Sequence, residues 1–171
     1  AIEVDGNQFE SDYLLAMIRM RQGDWAGART VVEELIRKTP DNPIGYNLMG
    51  AVLLQAGDAD AAAASFRRAL SYDPAFLPAA QNLARIAERQ GDEAAAARIY
   101  GELLEADPGN EDALLALAER AVRTGDVDRS VELLERSVAA NPRGVRSRVV
   151  LARLRLAGDS LERADQLVTA G

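Results

Sequence analysis

The sequence predicts an all-α chain built from stacked helix-turn-helix repeats, and three observations carry that prediction. Pro40, Pro74, Pro108 and Pro142 recur at one constant interval. The pairs Gly23-Asp24, Gly57-Asp58, Gly91-Asp92 and Gly125-Asp126 keep the same interval, and a fifth pair, Gly158-Asp159, comes one position early. A fixed period of this length marks a stacked repeat architecture. Alanine supplies 32 of the 171 residues while aromatics make up only 5%. A core of alanine and aliphatics suits helices that approach closely, because alanine favours the helix and takes little room.

Each repeat divides into two helix-length segments. First helices are expected over 9–22, 43–56, 77–90, 111–124 and 145–157, and second helices over 25–38, 59–72, 93–106, 127–140 and 160–170. Each glycine closes a first helix, since it adopts the left-handed conformation that ends a helix at little steric cost. The aspartate after it caps the second helix by accepting a backbone N–H and complementing the helix dipole. These aspartates therefore read as caps rather than as a carboxylate cluster. Proline cannot continue a helix, so it separates one unit from the next. The units fall at 9–42, 43–76, 77–110 and 111–144, with a partial or degenerate fifth over 145–171. Residues 1–8 are an N-terminal segment or the end of a preceding unit. The fifth unit departs from the period, and its last segment keeps Leu161, Ala164, Leu167 and Val168 in helical spacing. That apolar stripe expects a neighbour, so the array is expected to continue.

Composition excludes several function classes. The chain has no cysteine, hence no disulfide, thiol nucleophile or thiolate metal site, and no histidine, hence no histidine-based triad or histidine–zinc site. Its glycines stand singly at turns, so no phosphate-cradling loop is present. The adjacent acids Glu33-Glu34, Asp92-Glu93 and Glu111-Asp112 are neighbours in sequence rather than converging acid/base pairs. No catalytic residue, cofactor or metal is assigned. A net charge of −7 argues against nucleic-acid binding, which relies on basic surface. No apolar run approaches the ~20 residues of a membrane span, so no direct insertion is expected. The first residues carry neither a starting methionine nor a signal pattern, so the chain reads as a piece of something longer.

The repeat resembles the tetratricopeptide repeat. The second unit carries the resemblance most fully, with Tyr46 at the usual tryptophan place, Met49 at the leucine, Gly50 at the close-contact glycine and Leu53 at the tyrosine. Ala62, Phe66, Ala69 and Pro74 follow where that family has alanine, aromatic, alanine and proline. The third unit offers Leu83, Ala84, Gly91, Ala96, Tyr100 and Pro108. The fourth offers Leu117, Ala118, Gly125, Leu134 and Pro142, with Ser130 and Ser137 at alanine positions. The first offers Leu15, Ala16, Ala28, Val32 and Pro40. The resemblance implies a right-handed superhelical solenoid of about five units and ten helices. A narrower resemblance rests on phrases such as Tyr46 to Ala51, Phe76 to Arg85 and Ala113 to Glu119. They are similar to the long repeat lipoproteins of bacterial PEP-CTERM/exosortase loci, associated with extracellular polysaccharide and protein sorting. That resemblance implies a periplasmic or outer-membrane-anchored setting; without it, a cytoplasmic one is expected.

In such an array the first helices line a concave groove, and a 14-residue helix of ~21 Å gives it room for an extended peptide or a helix. The groove is expected to present Tyr13, Met17 and Met20 from the first unit, then Asn47, Ala51 and Leu54. The third unit contributes Gln81, Asn82, Arg85 and Glu88, the fourth Leu115, Glu119 and Val122, and the fifth Arg146, Val149 and Arg153. The methionines suit adaptable apolar contacts, or pack on a neighbouring segment. The amides can donate to and accept from a peptide backbone. Residues 143–171 carry six basic and three acidic side chains, against 14 and 24 in residues 1–142. Arg143, Arg146, Arg148, Arg153 and Arg155 suit carboxylates, acids of a neighbouring unit, or solvent. The resemblance's carboxylate clamp needs lysine and asparagine where Tyr13 and Met17 stand, so that activity is not expected. The sequence thus predicts a non-catalytic scaffold for a protein or peptide partner, or alternatively the repeat arm of a larger polysaccharide-export or glycosyltransferase machine. Exposed repeat ends also leave room for end-to-end self-association.

Overall fold

The computed structural model describes the backbone of residues 6–169 and the side chains of 8–158. Among the described residues the chain is all-helical, a repeat of antiparallel helix pairs. Helices α1 (Gly6–Arg21), α2 (Trp25–Lys38), α3 (Pro43–Gln55), α4 (Ala59–Tyr72), α5 (Leu77–Arg89) and α6 (Glu93–Ala106) belong to one compact body. Helices α7 (Glu111–Arg123), α8 (Val127–Ala140) and α9 (Arg146–Thr169) belong to a second. Within each body every helix packs on the next in sequence.

The turns form as the glycine and aspartate pattern requires. Gly23, Gly57, Gly91 and Gly125 have φ of 75°, 84°, 77° and 83°. In each turn the glycine N–H bonds the carbonyl three residues back and the aspartate N–H the carbonyl five back, as in Asp24 to Arg19 at 3.0 Å and Asp126 to Ala121 at 2.8 Å. This pair of bonds satisfies carbonyls that the helix end leaves open. The carboxylates of Asp24, Asp58, Asp92 and Asp126 then accept from the N–H groups of Gly27, Ala61, Ala95 and Arg129 at 2.8–3.1 Å. At Asp24 that backbone bond, and next the Arg19 guanidinium at 2.6 Å, hold the carboxyl below its ordinary pKa.

Small residues set the spacing inside each pair. Ala16, Ala84 and Ala118 are fully buried on first helices, as are Ala28 and Ala62 on second helices, with Ala96 close behind. Val32, Phe66 and Leu134 close over these contacts and are themselves fully buried. The largest of them faces the smallest partner: a Cβ built on Gly50 would lie 2.5 Å from the Phe66 ring. In the fourth unit Ser137 and Ser147 share a hydrogen bond at 2.7 Å, and Glu111 accepts from the Ser147 hydroxyl at 3.0 Å. Ser137 thus joins a polar chain into the next element, whereas the Ser130 hydroxyl, equally buried, has no hydrogen-bond partner among the described residues.

Two expectations are corrected. The fifth Gly-Asp pair makes no turn: Gly158 has no positive φ, and α9 runs unbroken from Arg146 to Thr169 where two helices were expected. Continuing through one glycine costs about 1 kcal/mol relative to alanine, while a break leaves a set of helix-end groups open. At the other end, α1 starts at Gly6 rather than residue 9, so residues 6–8 form its first turn. The stripe Leu161, Ala164, Leu167 and Val168 lies outside the residues with described side chains, and residues 1–5 lie outside the described residues.

Gly50→Ala should destabilise the chain by about 1–3 kcal/mol in urea unfolding, although alanine is the better helix former. Adding Phe66→Leu, the pairing of Ala118 with Leu134, should recover part of that loss. Gly57→Ala should lower the Tm because its φ is left-handed, whereas Gly158→Ala should raise helicity; equal effects would contradict the unbroken α9.

Candidate functional site

The expected partner-binding residues fall into two sets, one on each body. On the first body α1, α3 and α5 carry Tyr13, Met17, Met20, Asn47, Leu54, Gln81, Asn82, Arg85 and Glu88. On the second, α7 and α9 carry Glu119, Arg146 and Arg153. None of the twelve is buried. Leu115, also expected on this surface, is instead buried in the core at 6% exposure, because that face of α7 packs inward.

On α1 the residues divide by role. Tyr13 and Met20 rest against the core cluster of Ala16, Val32, Leu35 and Leu48, and Tyr13 stacks on Phe9 with ring centroids 6.4 Å apart. Met17 faces outward and joins Leu14, Ile18 and Met20 in an open depression of about 730 Å³. Leu14, Met17 and Ile18 are 51%, 42% and 52% exposed. The expectation named the methionines but missed Leu14 and Ile18. The signal was available: one repeat further on they become Leu48 and Val52, which are buried at 5% and 3%. This face of α1 is the first unit's version of a packing surface.

The amides of α3 and α5 form a ladder. Asn82 Nδ2 donates to Asn47 Oδ1 at 3.1 Å, and Arg85 Nη2 donates to Asn82 Oδ1 at 2.6 Å. Both polar ends of Asn82 are therefore committed within the protein, and Arg85 is held at its edge. Gln81, one residue away, is exposed and has no hydrogen-bond partner among the described residues. Asn47 keeps its own Nδ2 donors. The ladder orients one guanidinium and leaves amide donors and acceptors beside it, which suits the backbone or carboxylate of an extended segment.

The arginines of the second body mostly serve their neighbours. Arg146 Nη1 pairs with Asp112 at 2.8 Å, and that bond first, then the carboxylate's charge, raises the guanidinium pKa. Arg155 pairs with Glu135, and Arg148 donates to the Gly144 carbonyl at 2.8 Å. The acids they use precede them in sequence, on α7 and α8. Arg143 and Arg153 are exposed and make no hydrogen bond or ion pair among the described residues. The seven-residue spacing that placed Arg146 with Arg153 does not give them one role.

Among the described residues no group of three or more acidic side chains is arranged to hold a metal ion, and no helix is long and apolar enough to cross a membrane.

Comparison with known proteins matches residues 13–78 and 47–111 to one tetratricopeptide repeat family and residues 87–154 to a second. Among curated proteins the chain is 39% identical over 69 residues to cellulose synthase operon protein C of Xanthomonas axonopodis pv. citri. That match covers 40% of this chain, which spans 4% of the relative's length. Among solved structures, a tetratricopeptide repeat protein from Parabacteroides merdae is similar with a TM-score of 0.65 at 23% identity, over 92% of this chain and 64% of the other. A thermophilic TPR protein of Thermus thermophilus gives 0.63 at 19%, over 86% and 81%. MamA from Desulfovibrio magneticus gives 0.60 at 18%, over 96% and 93%. At these identities the likeness is one of fold.

Asn47→Ala and Asn82→Ala should each cost about 1 kcal/mol in chemical unfolding, and the double variant should cost less than their sum. Strict additivity would show that the ladder does not join α3 to α5 in solution.

Proposed function

Because the chain belongs to the tetratricopeptide repeat family, whose repeats bind proteins or peptides and are generally non-catalytic, we propose that it is an interaction scaffold whose first helices receive a partner segment. The observation that carries this reading is the Asn47–Asn82–Arg85 ladder with Gln81 free beside it. It supplies a fixed cation and open amides on α3 and α5, the polar features that position an extended chain. Leu54 and Glu88 lie on the same two helices, and Tyr13, Met17 and Met20 add an apolar end on α1. On the second body Glu119 and Arg153 serve partner contact, with Arg146 held by Asp112 beside them. The exposed apolar face of α1 is where copies would pair end to end.

A second reading places the repeats in a larger polysaccharide-synthesis or export machine, with chemistry carried elsewhere. The similarity to cellulose synthase operon protein C favours it, since that protein's name ties it to a polysaccharide operon. The narrower likeness to repeat lipoproteins of PEP-CTERM/exosortase loci draws no support from these relatives.

A photo-crosslinking amino acid at position 81 of the full-length gene product, expressed in its own organism, tests both readings. The scaffold reading expects a defined protein to be captured at 81, lost with Arg85→Glu, and absent when the crosslinker stands at exposed Ala64 on α4. Capture of a polysaccharide synthase or export subunit would select the second reading. Capture of polysaccharide alone, or equal capture from positions 81 and 64, would remove the peptide-binding role.

A further inference from the structure

Helix α9 buries one face and leaves apolar residues on the opposite one. Ser147 and Leu151 are buried, Val150 and Leu154 half-buried, and this inner face packs on α8. Val145, just ahead of the first turn, is followed by Val149, Ala152 and Leu156 at spacings of four, three and four. At about 100° per residue that spacing puts the four on one line along the helix, roughly 180° from the inner face. Val145, Val149 and Leu156 are 64%, 41% and 66% exposed, and Ala152 is exposed as well. A helix that buries one side ordinarily carries polar residues on the other. Here the outward line is apolar for about three turns, or about 16 Å.

The repeat register indicates what such a line receives. Ala152 stands at the place of Ala16, Gly50, Ala84 and Ala118 on the earlier first helices, and all four of those are buried. Gly50 lies against the Phe66 ring of the second helix in its own pair. On α9 the place that elsewhere meets a helix is exposed.

Charge sets the character of the occupant. Arg148 and Arg155 lie along one edge of the line and Arg146 and Arg153 along the other, and residues 143–158 contain no acid. Arg146 and Arg155 are paired with Asp112 and Glu135. Arg148 donates its Nε–H to the Gly144 carbonyl, which leaves its charge uncompensated, and Arg153 makes no hydrogen bond or ion pair among the described residues. One uncompensated cation therefore stands on each edge. An apolar seam with charges along both edges is the arrangement by which two helices pack and select each other.

We propose that the outward face of α9 docks an acidic amphipathic helix of a partner protein, with the helix's apolar seam on Val149, Ala152 and Leu156 and its flanking carboxylates on Arg148 and Arg153. A bilayer suits this face less well. The line holds no aromatic residue, and residues 1–142 carry 24 acids against 14 bases, which an anionic surface repels. The proposal rests on the scaffold reading but not on the ladder of α3 and α5, which lies on the other body. Crosslinking at position 81 tests the ladder, and peptide binding to α9 is read separately.

The test titrates two capped peptides of three heptads into the isotopically labelled full chain and follows backbone amides by NMR. Both peptides carry leucine at the two seam positions of each heptad; one has glutamate beside the seam and the other lysine. The glutamate peptide should give saturable shifts at Val149, Ala152 and Leu156, and the lysine peptide should bind about tenfold or more weakly. Val149→Ser with Leu156→Ser, both at exposed positions, should weaken the glutamate peptide about tenfold or more. Arg148→Glu with Arg153→Glu should reverse the preference between the two peptides, an outcome that misfolding cannot imitate. Equal binding of the two peptides, shifts confined to α1–α6, absence of saturable shifts, or undiminished binding in either folded variant would each overturn the proposal. So would dimerisation of the free chain that the serine variant abolishes, which makes the face an interface between copies. Cosedimentation with mixed phosphatidylcholine and phosphatidylserine vesicles, abolished by the same variant, would assign the face to lipid instead.

Discussion

The close approach of the two helices within each pair is the constraint on which the rest of the structure depends. Small buried residues recur at the same two places of each pair: Ala16 and Ala28, Gly50 and Ala62, Ala84 and Ala96, and Ala118 and Ser130. Four positions further along the second helices stand Val32, Phe66, Tyr100 and Leu134, of which Tyr100 is half-buried and the other three fully buried. Phe66 fits because Gly50 offers no Cβ, while Val32 shares the core cluster of Ala16. Interiors packed to crystal-like density leave little slack for any other pairing. The glycine turn then has one task, to reverse the chain within two residues so that the small faces meet, and the left-handed φ of Gly57 and its equivalents does this.

With the pair geometry fixed, the positions between pairs are free to vary, and this is where the units differ. Tyr46 and Leu53 of α3 give way to Ala80 and Ala87 at the equivalent places of α5, and both alanines are buried. The fold accommodates both because the contacts that define each pair lie elsewhere. Individual character in a repeat protein resides in such substitutions, and their chemistry can be read only against the neighbouring unit that keeps the larger residue.

Most of the fold was legible because its signals are local. Helix ends depend on glycine, aspartate and proline at fixed offsets, so α2, α4, α6 and α8 follow the expected bounds residue for residue. The fifth Gly-Asp pair shows the limit of local punctuation. A glycine permits a turn but does not compel one; Gly158 stays within α9, in the one unit that breaks the repeat period. The candidate site was less legible. Sequence spacing placed Asn47, Asn82 and Arg85 on neighbouring helix faces but not the bonds among them, because hydrogen bonding depends on side-chain rotamers as well as on register. Leu115 was assigned to the surface by position alone, and a leucine on a packed face is drawn inward by the area it can bury.

The period also organises the polar contacts between units. Asn82 bonds Asn47, 35 residues earlier; Arg146 pairs with Asp112, 34 earlier; and Ser147 bonds Glu111, 36 earlier. Each pair joins places within two positions of equivalence on successive units, so a polar side chain finds its partner about one repeat away. This gives the charge asymmetry a physical meaning. The acids are concentrated in the earlier units and the arginines in the last, and Arg146 and Arg155 meet Asp112 and Glu135 of the unit before. At exposed positions such pairs contribute little to stability, but they penalise wrong neighbours, and so they favour register more than strength. By the same reasoning Arg143 and Arg153, exposed and without a hydrogen bond or ion pair among the described residues, are cations this unit leaves unspent.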